Sequence, residues 1–525
     1  MSYPTSIFAR KSVADCEAES ALAGGLKRSL NKWHLTALGV GATIGAGIFA
    51  TTGTAIVGDA ARPGAGPAIV FSFLLTAVAC GFAALCYAEF AAMVPISGSA
   101  YTYAYASLGE FIAWIIGWDL IVEYAVGNIG VAIGWSGHFR ELISHFGWNL
   151  PSWLATDYRS AHDAFNALTG GSTDPFTQYL GSAWSQAPHF LGLPVIVNLP
   201  AFVVVLVMTV ILVIGVKESA NFNNGMVLLK IGIILFFLAV GAFLIKPENW
   251  NNPALGGFAP NGFKGVSAAA AIIFFSYIGF DAVSTAAEEA KNPAKDMPFG
   301  IIMSLIICTV LYVALSTVLT GMAPWTKLGT AEPMITALQF ADGPPALLNF
   351  SRFVIALGAV IAMGSVLLVF QMGQPRIFYS MARDGLLPPV MAKVHPKYRT
   401  PYVGTILTGT FVATFAAFAN IAEVVDLTNI GTLFAFVLVS IGVIFLRKAD
   451  PERPRPFRVP GVPYTPLISV AACLYLMLQL PVVTWIRFGI WLAVGLVFYF
   501  VYGFRHSALR TGKRPHIEPV KRGGH

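Results

Sequence analysis

The sequence predicts an all-α integral membrane protein, and its charge content and the arrangement of its apolar residues support this. Of its 525 residues only 11% are charged and 56% are hydrophobic, with a mean hydropathy of +0.69. Soluble domains usually carry about 25% charged residues. The apolar residues form long runs, whereas the strands of an outer-membrane barrel show short alternating segments. The composition therefore excludes a soluble enzyme, a disordered chain and a β-barrel.

Apolar segments long enough to cross a bilayer recur along the whole chain, since a helix of about 20 residues spans the hydrocarbon core. They predict one transmembrane domain over 34–503, with a long outer loop at 137–194, between an N-terminal segment, 1–33, and a C-terminal tail, 504–525. The twelve predicted spans are 34–57, 68–93, 111–136, 195–216, 225–245, 265–287, 299–321, 352–376, 402–419, 427–446, 466–484 and 486–503.

The distribution of Lys and Arg predicts the orientation of these spans. With the N-terminus inside, the inner segments hold about three times as many of these residues as the outer loops. Both termini are therefore expected in the cytoplasm, and the net charge of +7 is read as a topological signal, with no nucleic-acid partner. Residues 1–33 lack the apolar stretch of a signal peptide, so the first span is expected to stay in the mature protein.

Cysteine and histidine positions give no sign of a metal or cofactor site. The five cysteines are scattered and the nine histidines show no close ligand spacing. The sequence also lacks a phosphate-binding Gly-x-x-x-x-Gly-Lys-Ser/Thr loop, a Gly-x-Ser-x-Gly elbow and a His-Glu-x-x-His helix. We therefore expect no metal, no cofactor and no enzymatic activity.

Two spans contain interruptions at corresponding positions. Span 1 has four glycines between Gly39 and Gly47, and span 6 places Gly279 and Asp281 in mid-membrane. Either feature alone is equally compatible with glycine-mediated helix packing. Spans 1 and 6 are five crossings apart, however, so a second unit of five helices would be an inverted copy of the first. Interrupted helices in both halves of an inverted repeat indicate the central site of a transporter.

The chemistry of such interruptions favours a zwitterionic ligand. The N-terminus of a half-helix exposes N–H groups that suit a carboxylate. Unwound carbonyl groups accept hydrogen bonds from a cation such as an α-ammonium group. An α-amino acid matches both requirements, although the sequence does not prove that the ligand is one.

Ionisable residues within the spans are functional candidates because an unpaired charge there is costly. Lys230 in span 5 either extends to the cytoplasmic interface or faces unwound backbone, where it could exchange a proton. Glu123, at mid-depth in span 3, is expected to line the pocket. Asp281 could cap the second half-helix of span 6 or join a polar network.

Five motifs resemble a known family. GATIGAGIF at 41–49 is similar to the first-span motif of the amino acid–polyamine–organocation superfamily. WDLIVEY at 118–124 and YIGFD at 277–281 resemble bacterial members of its cationic amino acid transporter family, as do EEAKNP at 288–293 and QPRIFYSMARDGLLP at 374–388. The likeness extends over roughly residues 25 to 505.

This resemblance implies the five-plus-five inverted-repeat fold, similar to the leucine transporter, with helices 1 and 6 unwound at mid-membrane. It implies that backbone N–H groups near Gly45, Ala46 and Gly47 bind the substrate carboxylate. The α-ammonium group would meet carbonyl groups near Thr43, Phe275, Ser276 and Ile278. Lys230 matches a lysine that replaces a sodium ion in proton-coupled members. The inner acidic pair of the family corresponds to Glu288 and Glu289, which are expected to act in gating or in loop packing. The implied substrate contacts are Thr43, Ile44, Gly45, Ala46, Gly47, Phe275, Ser276 and Ile278.

The side-chain specificity is not settled by the family, and this chain ends soon after span 12, whereas the animal cationic transporters have fourteen spans. Glu123 could pair with a guanidinium group, but the pocket is otherwise apolar, with Phe275, Phe280 and Met363. Met363 at the side-chain end would leave room for small ligands. We therefore favour neutral amino acids such as alanine.

The sequence thus predicts a proton-coupled amino acid symporter of a bacterial inner membrane, with an amino acid, a proton and the lipid bilayer as partners. Two alternatives remain. A cationic amino acid or polyamine exchanger would need no pH gradient, and a non-transporting amino acid sensor would often carry a folded output domain. The sequence leaves the oligomeric state open.

Overall fold

The computed structural model describes residues 6–11, 29–93, 99–171, 175–215 and 220–512, without the side chains of residues 99, 175, 176, 220–223 and 288. This part of the chain is predominantly helical. The predicted terminal segments are therefore described only in part, at 6–11 and 29–33 and up to residue 512.

Nine helical stretches in the described residues are long and apolar enough to cross a membrane, and three shorter apolar helices accompany them. The protein is therefore a multi-pass membrane protein. The nine are Lys32–Val57, Gly66–Met93, Glu110–Ser144, Asn224–Ala242, Gly262–Ala287, Pro293–Met322, Pro345–Arg383, Ile421–Ala449 and Val482–Thr511, and the shorter three are Leu199–Ile214, Tyr402–Phe418 and Tyr464–Leu478.

The α-helices are numbered here in chain order. They are α1 (Lys32–Thr43), α2 (Thr52–Val57), α3 (Ile69–Met93), α4 (Ser99–Ser107), α5 (Glu110–Ile121), α6 (Gly127–Ser144), α7 (Tyr158–Thr169), α8 (Pro175–Gln186), α9 (Leu199–Ile214), α10 (Ala220–Ala242), α11 (Gly262–Ile273), α12 (Pro293–Met322), α13 (Pro333–Phe340), α14 (Pro345–Arg383), α15 (Tyr402–Phe418), α16 (Ile421–Ala449), α17 (Tyr464–Leu478), α18 (Val482–Phe498), α19 (Phe504–His506) and α20 (Ala508–Thr511). Two strands, β1 (His189–Phe190) and β2 (Leu193–Pro194), pair antiparallel.

Asparagine side chains start three of these helices. Asn31 accepts hydrogen bonds from the backbone N–H groups of Trp33 and His34, and Asn198 and Asn420 cap α9 and α16 in the same way. The first N–H groups of a helix have no partner within the helix, so a side-chain oxygen at this position stabilises its start. These caps fix where the apolar segments begin.

The helices pack as two groups joined by α16. Helix α12 lies against α3 and α1, and α11 also packs on α3. In the second group α14 packs against α6, and α9 against α15. Helix α16 contacts α3 of the first group and α6 of the second. Residues 265–287 are almost entirely buried, whereas Val482–Thr511 has few buried residues and lies at the periphery.

Several helix ends differ from the sequence-based limits; α14, for example, extends beyond both ends of the predicted span 352–376. Helix α6 continues to Ser144, beyond the predicted end of span 3 at residue 136. The described residues of the rest of the long loop include α7 and α8, which pack against each other, and the β1–β2 pair. Helix α17 ends at Leu478, short of residue 484, because Pro481 is the N-cap residue of α18 and has extended backbone. Proline removes a backbone donor and disfavours helical geometry in the residue before it.

Candidate functional site

The first interruption lies between α1 and α2. Helix α1 ends at Thr43, Ile44 has extended backbone (φ −75°, ψ 97°), and a π-helical turn occupies Gly47–Thr51. The glycines allow other segments of the same chain to approach closely here. A Cβ atom at Gly47 would lie 2.7 Å from the backbone nitrogen of Ser276, and one at Gly45 would lie 3.0 Å from the side chain of Val366.

The second interruption follows α11. A 3₁₀ turn at Phe274–Ser276 is followed by Gly279 at φ +117°, and a 3₁₀ helix then runs over Phe280–Glu289. A positive φ favours glycine because a side chain there meets its own backbone. A Cβ atom on Gly279 would also lie 2.8 Å from the carbonyl group of Ala42. The positive φ and the close approach of Ala42 therefore both require glycine at position 279.

These two interruptions are in direct contact, Gly47 against Ser276 and Gly279 against Ala42. The structure thus brings the predicted residues of 43–47 together with those of 275–278. The hydroxyl oxygens of Thr43 and Ser276 are buried without a hydrogen-bond partner among the described residues. Unsatisfied buried hydroxyl groups are costly, so both are available to a polar ligand.

Met363 and Phe275 border this junction from the surrounding helices. A Cβ atom on Gly134 of α6 would lie 3.3 Å from the Cβ of Ala46 and 3.5 Å from the sulfur of Met363, so these two residues lie beside the same glycine. A Cβ atom on Gly130 would lie 3.3 Å from the ring of Phe275. The surroundings of the junction are apolar on this side.

Glu123 lies in a π-helical turn, Val122–Val126, between α5 and α6, and its carboxyl group is next to that of Asp281. Both side chains are buried. Oε2 of Glu123 and Oδ2 of Asp281 have no hydrogen-bond donor among the described residues, while Oδ1 of Asp281 accepts from Gly279 N–H at 3.3 Å. Two adjacent carboxyl groups share a hydrogen bond only when one carries a proton.

Lys230 of α10 points into the protein. Its Nζ atom donates a 2.5 Å hydrogen bond to the carbonyl oxygen of Gly41, close to the end of α1, and the residue is only 1% exposed. A cavity of about 310 Å³ adjoins it, bordered by Met208 and Gly364 among others. The side chain of Lys230 therefore does not extend to the cytoplasmic interface, because its ammonium group is enclosed by the protein.

The predicted inner end of the protein carries a buried ion-pair network around Glu89 of α3. Arg447 donates two hydrogen bonds to its carboxylate, at 3.0 and 2.5 Å, and the backbone N–H of Val459 donates a third at 2.7 Å. Arg455 lies 3.5 Å away. At the same end, the carbonyl group of Glu289 accepts from Ser29 and Leu30, while the side chain of Glu288 lies outside the described residues.

At the predicted outer end, a cavity of about 180 Å³ reaches Ile272, three residues before Phe275 in the chain. Arg62 lines it and binds Asp59 at 2.7 Å and Asp426 at 2.8 Å. Burial by itself would lower the pKa of Arg62, but Asp426 and Asp59 hold that pKa above its ordinary value. We call this cavity the vestibule.

A metal site is not indicated in the described part of the chain, where no three His, Cys, Asp or Glu residues cluster in a way that could hold an ion. The polar groups at the junction of the two interruptions are instead hydroxyls, carbonyls and backbone N–H groups. Such groups suit an organic zwitterion.

Comparison with known proteins identifies the family of this chain. The sequence profile of the family described as "Amino acid permease" matches residues 30–503. The chain belongs to this family. The permease is 46% identical over 505 residues to the branched-chain amino acid permease BcaP of Bacillus subtilis, with 96% of this chain and 99% of the relative covered. Its resemblance to bacterial members of the cationic amino acid transporter family is confirmed.

Two further relatives show how widely the named substrates vary. The permease is 45% identical over 505 residues to the methylthioribose transporter of Bacillus subtilis, with the same shares covered. It is 36% identical over 456 residues to the vacuolar cationic amino acid transporter 2 of Arabidopsis thaliana, with 86% of this chain and 65% of the relative covered. The matched family is that of amino acid permeases and these relatives are transporters, so the permease is an amino acid transporter and not an enzyme.

Three residues of the site region were not found from sequence. The hydroxyl group of Tyr312 donates to the carbonyl of Thr43 at 3.1 Å, and Asn429 donates to the carbonyl of Ala271 at 2.7 Å. Asp426 binds Arg62 across the vestibule. Asn429 and Asp426 could have been noticed as polar residues at the start of an apolar span, whereas a tyrosine such as Tyr312 is ordinary in a helix core.

Proposed function

We propose that the permease is a proton-coupled symporter of small neutral L-amino acids such as alanine. Its twelve apolar helices would all cross the membrane, ten of them as a five-plus-five inverted repeat with both termini in the cytoplasm. The substrate would bind where the two interruptions meet and reach either side by alternating access. The contact of Gly47 with Ser276 is the observation that carries this proposal.

Recognition of the backbone of an amino acid follows from the polar groups at this junction. The N–H groups near Gly45, Ala46 and Gly47 lie at the start of the π-helical segment, where the positive end of a helix favours a carboxylate. The N–H of Ile44 already donates to the carbonyl oxygen of Val40 and stays outside this set. The α-ammonium group would donate to backbone carbonyls of 275–278 and to the free hydroxyl of Ser276. A ligand with adjacent opposite charges satisfies both sets.

The preference for a neutral side chain follows from the apolar border. Met363, Ala46 and Phe275 offer no countercharge to a guanidinium or ammonium group. Glu123 would have to leave Asp281 in order to provide one. Branched-chain amino acids are a second candidate class, favoured by the 46% identity to a branched-chain amino acid permease.

Proton coupling would act through Lys230. When protonated, its ammonium group holds the carbonyl of Gly41, close to the end of α1. Loss of the proton removes the charge from this contact and weakens the attachment of α1 to α10. A group that binds one conformation better in one protonation state shifts the equilibrium between conformations. The helices expected to move are the group of α1, α3, α11 and α12, which pack on one another.

Uptake by purified protein in proteoliposomes tests the proposal. Radiolabelled alanine should accumulate under an inward proton gradient and should be lost when a protonophore is added. Leucine, arginine and a sodium gradient are the comparisons. Preference for leucine over alanine would select the branched-chain class, and arginine uptake without alanine uptake would assign Glu123 to a cationic substrate. Dependence on sodium would remove the coupling role from Lys230.

A further inference from the structure

A second, larger cavity lies at the outer end of the permease, beside the vestibule. Its volume is about 670 Å³, within the range of small-molecule sites. We call it the outer cavity. Both cavities are lined by Arg140, Gly329, Thr330 and Glu332, so these residues form the partition between them. A substrate moving from the outer cavity to the vestibule would pass this partition.

Two of the four partition residues form an ion pair. Arg140 of α6 donates to Oε1 of Glu332 at 3.1 Å, with 19% of the arginine side chain and 7% of the glutamate side chain exposed. The guanidinium group also lies 4.5 Å from the ring centre of Tyr179 in α8. A cation over an aromatic ring is attracted to its face, which helps to hold the guanidinium group in place. A guanidinium group carries five N–H donors, more than the single hydrogen bond to Glu332 uses.

From this geometry we propose that the partition is a second amino acid site, occupied before the central one. The ligand carboxylate would bind the fork of Arg140, and its α-ammonium group would bind Glu332. The ion pair between Arg140 and Glu332 would thus be replaced by two, one from each residue to the ligand. The net charge of the site would not change and no charge would be left unpaired. Arginine binds a carboxylate through two parallel hydrogen bonds, which fixes the ligand orientation.

The position of the partition suits a site through which substrate passes. The vestibule on its inner side extends to Ile272 and Ala50, next to the two interruptions. The hydroxyl groups of Thr330 and Thr336 are 2.7 Å apart at the edge of the outer cavity and provide further polar contacts. This inference rests on the proposed amino acid substrate and adds a second station for it.

Equilibrium binding of radiolabelled alanine to the purified permease in detergent tests the inference. We expect two alanine molecules per wild-type protein and one in the double variant Arg140→Gln with Glu332→Gln, which leaves no buried charge unpaired. The matched control is Arg487→Gln with Glu423→Gln, because this 2.9 Å ion pair lines neither cavity. The control should retain two bound molecules.

The variant Arg140→Lys provides a second test, in which Glu332 still has a positively charged partner. The weaker of the two alanine affinities should fall about tenfold, the cost of one charge-assisted hydrogen bond, while the other stays unchanged. One bound molecule in both wild type and the double variant, with equal affinity, would overturn the second site and leave the proposed function intact. No alanine bound by the wild type would instead contradict the proposed function itself.

Discussion

The Nζ atom of Lys230 lies 2.5 Å from the carbonyl oxygen of Gly41, a residue 189 positions earlier in the chain. This contact joins α10 to the end of α1, where the first interruption begins. It connects a group that can exchange a proton with the backbone proposed to bind substrate. The coupling proposal depends on this single relationship.

Substitution of Lys230 by Met should abolish alanine accumulation driven by a proton gradient, because the side chain keeps its length but cannot carry a proton. Exchange of external for internal alanine should persist, since it needs no net proton movement. Lys264→Met is the matched control at an exposed lysine. Wild-type dependence on the pH gradient in the Lys230 variant would contradict the coupling role.

Gly47→Ala should reduce alanine uptake strongly, since the added methyl group would lie 2.7 Å from the backbone nitrogen of Ser276 and force the two interruptions apart. Gly232→Ala is the matched control. That glycine is exposed on α10 and a Cβ atom there would meet nothing within 4 Å. The control should keep its activity and gain up to about 1 kcal/mol of helix stability. Equal uptake by both variants would refute close contact at the site.

The pair of Glu123 and Asp281 predicts different effects for two substitutions. Glu123→Gln keeps a hydrogen-bonding group beside Asp281 and should retain alanine uptake within about threefold, whereas Glu123→Leu leaves the aspartate buried alone and should lose at least about tenfold. Initial uptake rates at saturating alanine would measure this. Exposed Glu248, changed to Leu, is the control. If the Gln and Leu variants behave alike, the two carboxyl groups do not depend on each other.

Met363→Ala should enlarge the side-chain end of the pocket, because the Met363 sulfur lies near Ala46 across Gly134. Competition by leucine against radiolabelled alanine should strengthen relative to the wild type. Met372→Ala, on the same helix but partly exposed, serves as the control. An unchanged ratio of leucine to alanine affinity would place Met363 outside the pocket.

Glu89→Gln should lower the thermal unfolding midpoint of the purified permease. The carboxylate binds Arg447 and the backbone of Val459. Loss of its charge leaves Arg447 with the carbonyl oxygen of Val459 but without this anionic partner, at a cost of about 3 kcal/mol. Glu452 is exposed, so Glu452→Gln should leave the midpoint unchanged. Identical midpoints for the two variants would show that the network contributes no stability.

The interruptions were predictable because glycine and charge are conspicuous in apolar segments. The cluster around Gly45 and Gly47 indicated the first break, and Gly279 with Asp281 indicated the second. The sequence could not supply their mutual contact, which depends on how α1 and α11 cross. The family resemblance, carried by five motifs, is confirmed by the match to residues 30–503.

Partners distant in the chain were beyond sequence reasoning. Lys230 allowed two interpretations until its contact with Gly41 was seen, because its height in the span does not fix the direction of the side chain. Arg62 and Asp426 lie 364 positions apart, and no local pattern pairs them. Helix α6 continued past its predicted end because the apolar signal fades before the helix does.

Proton-coupled transport is the central claim, and simultaneous recording of internal pH and radiolabelled alanine in the same proteoliposomes tests it most directly. With no gradient imposed at the start, addition of external alanine should acidify the vesicle interior as the amino acid enters, and the Lys230→Met variant should show no such acidification. Alanine entry by the wild type without any change in internal pH would contradict the account.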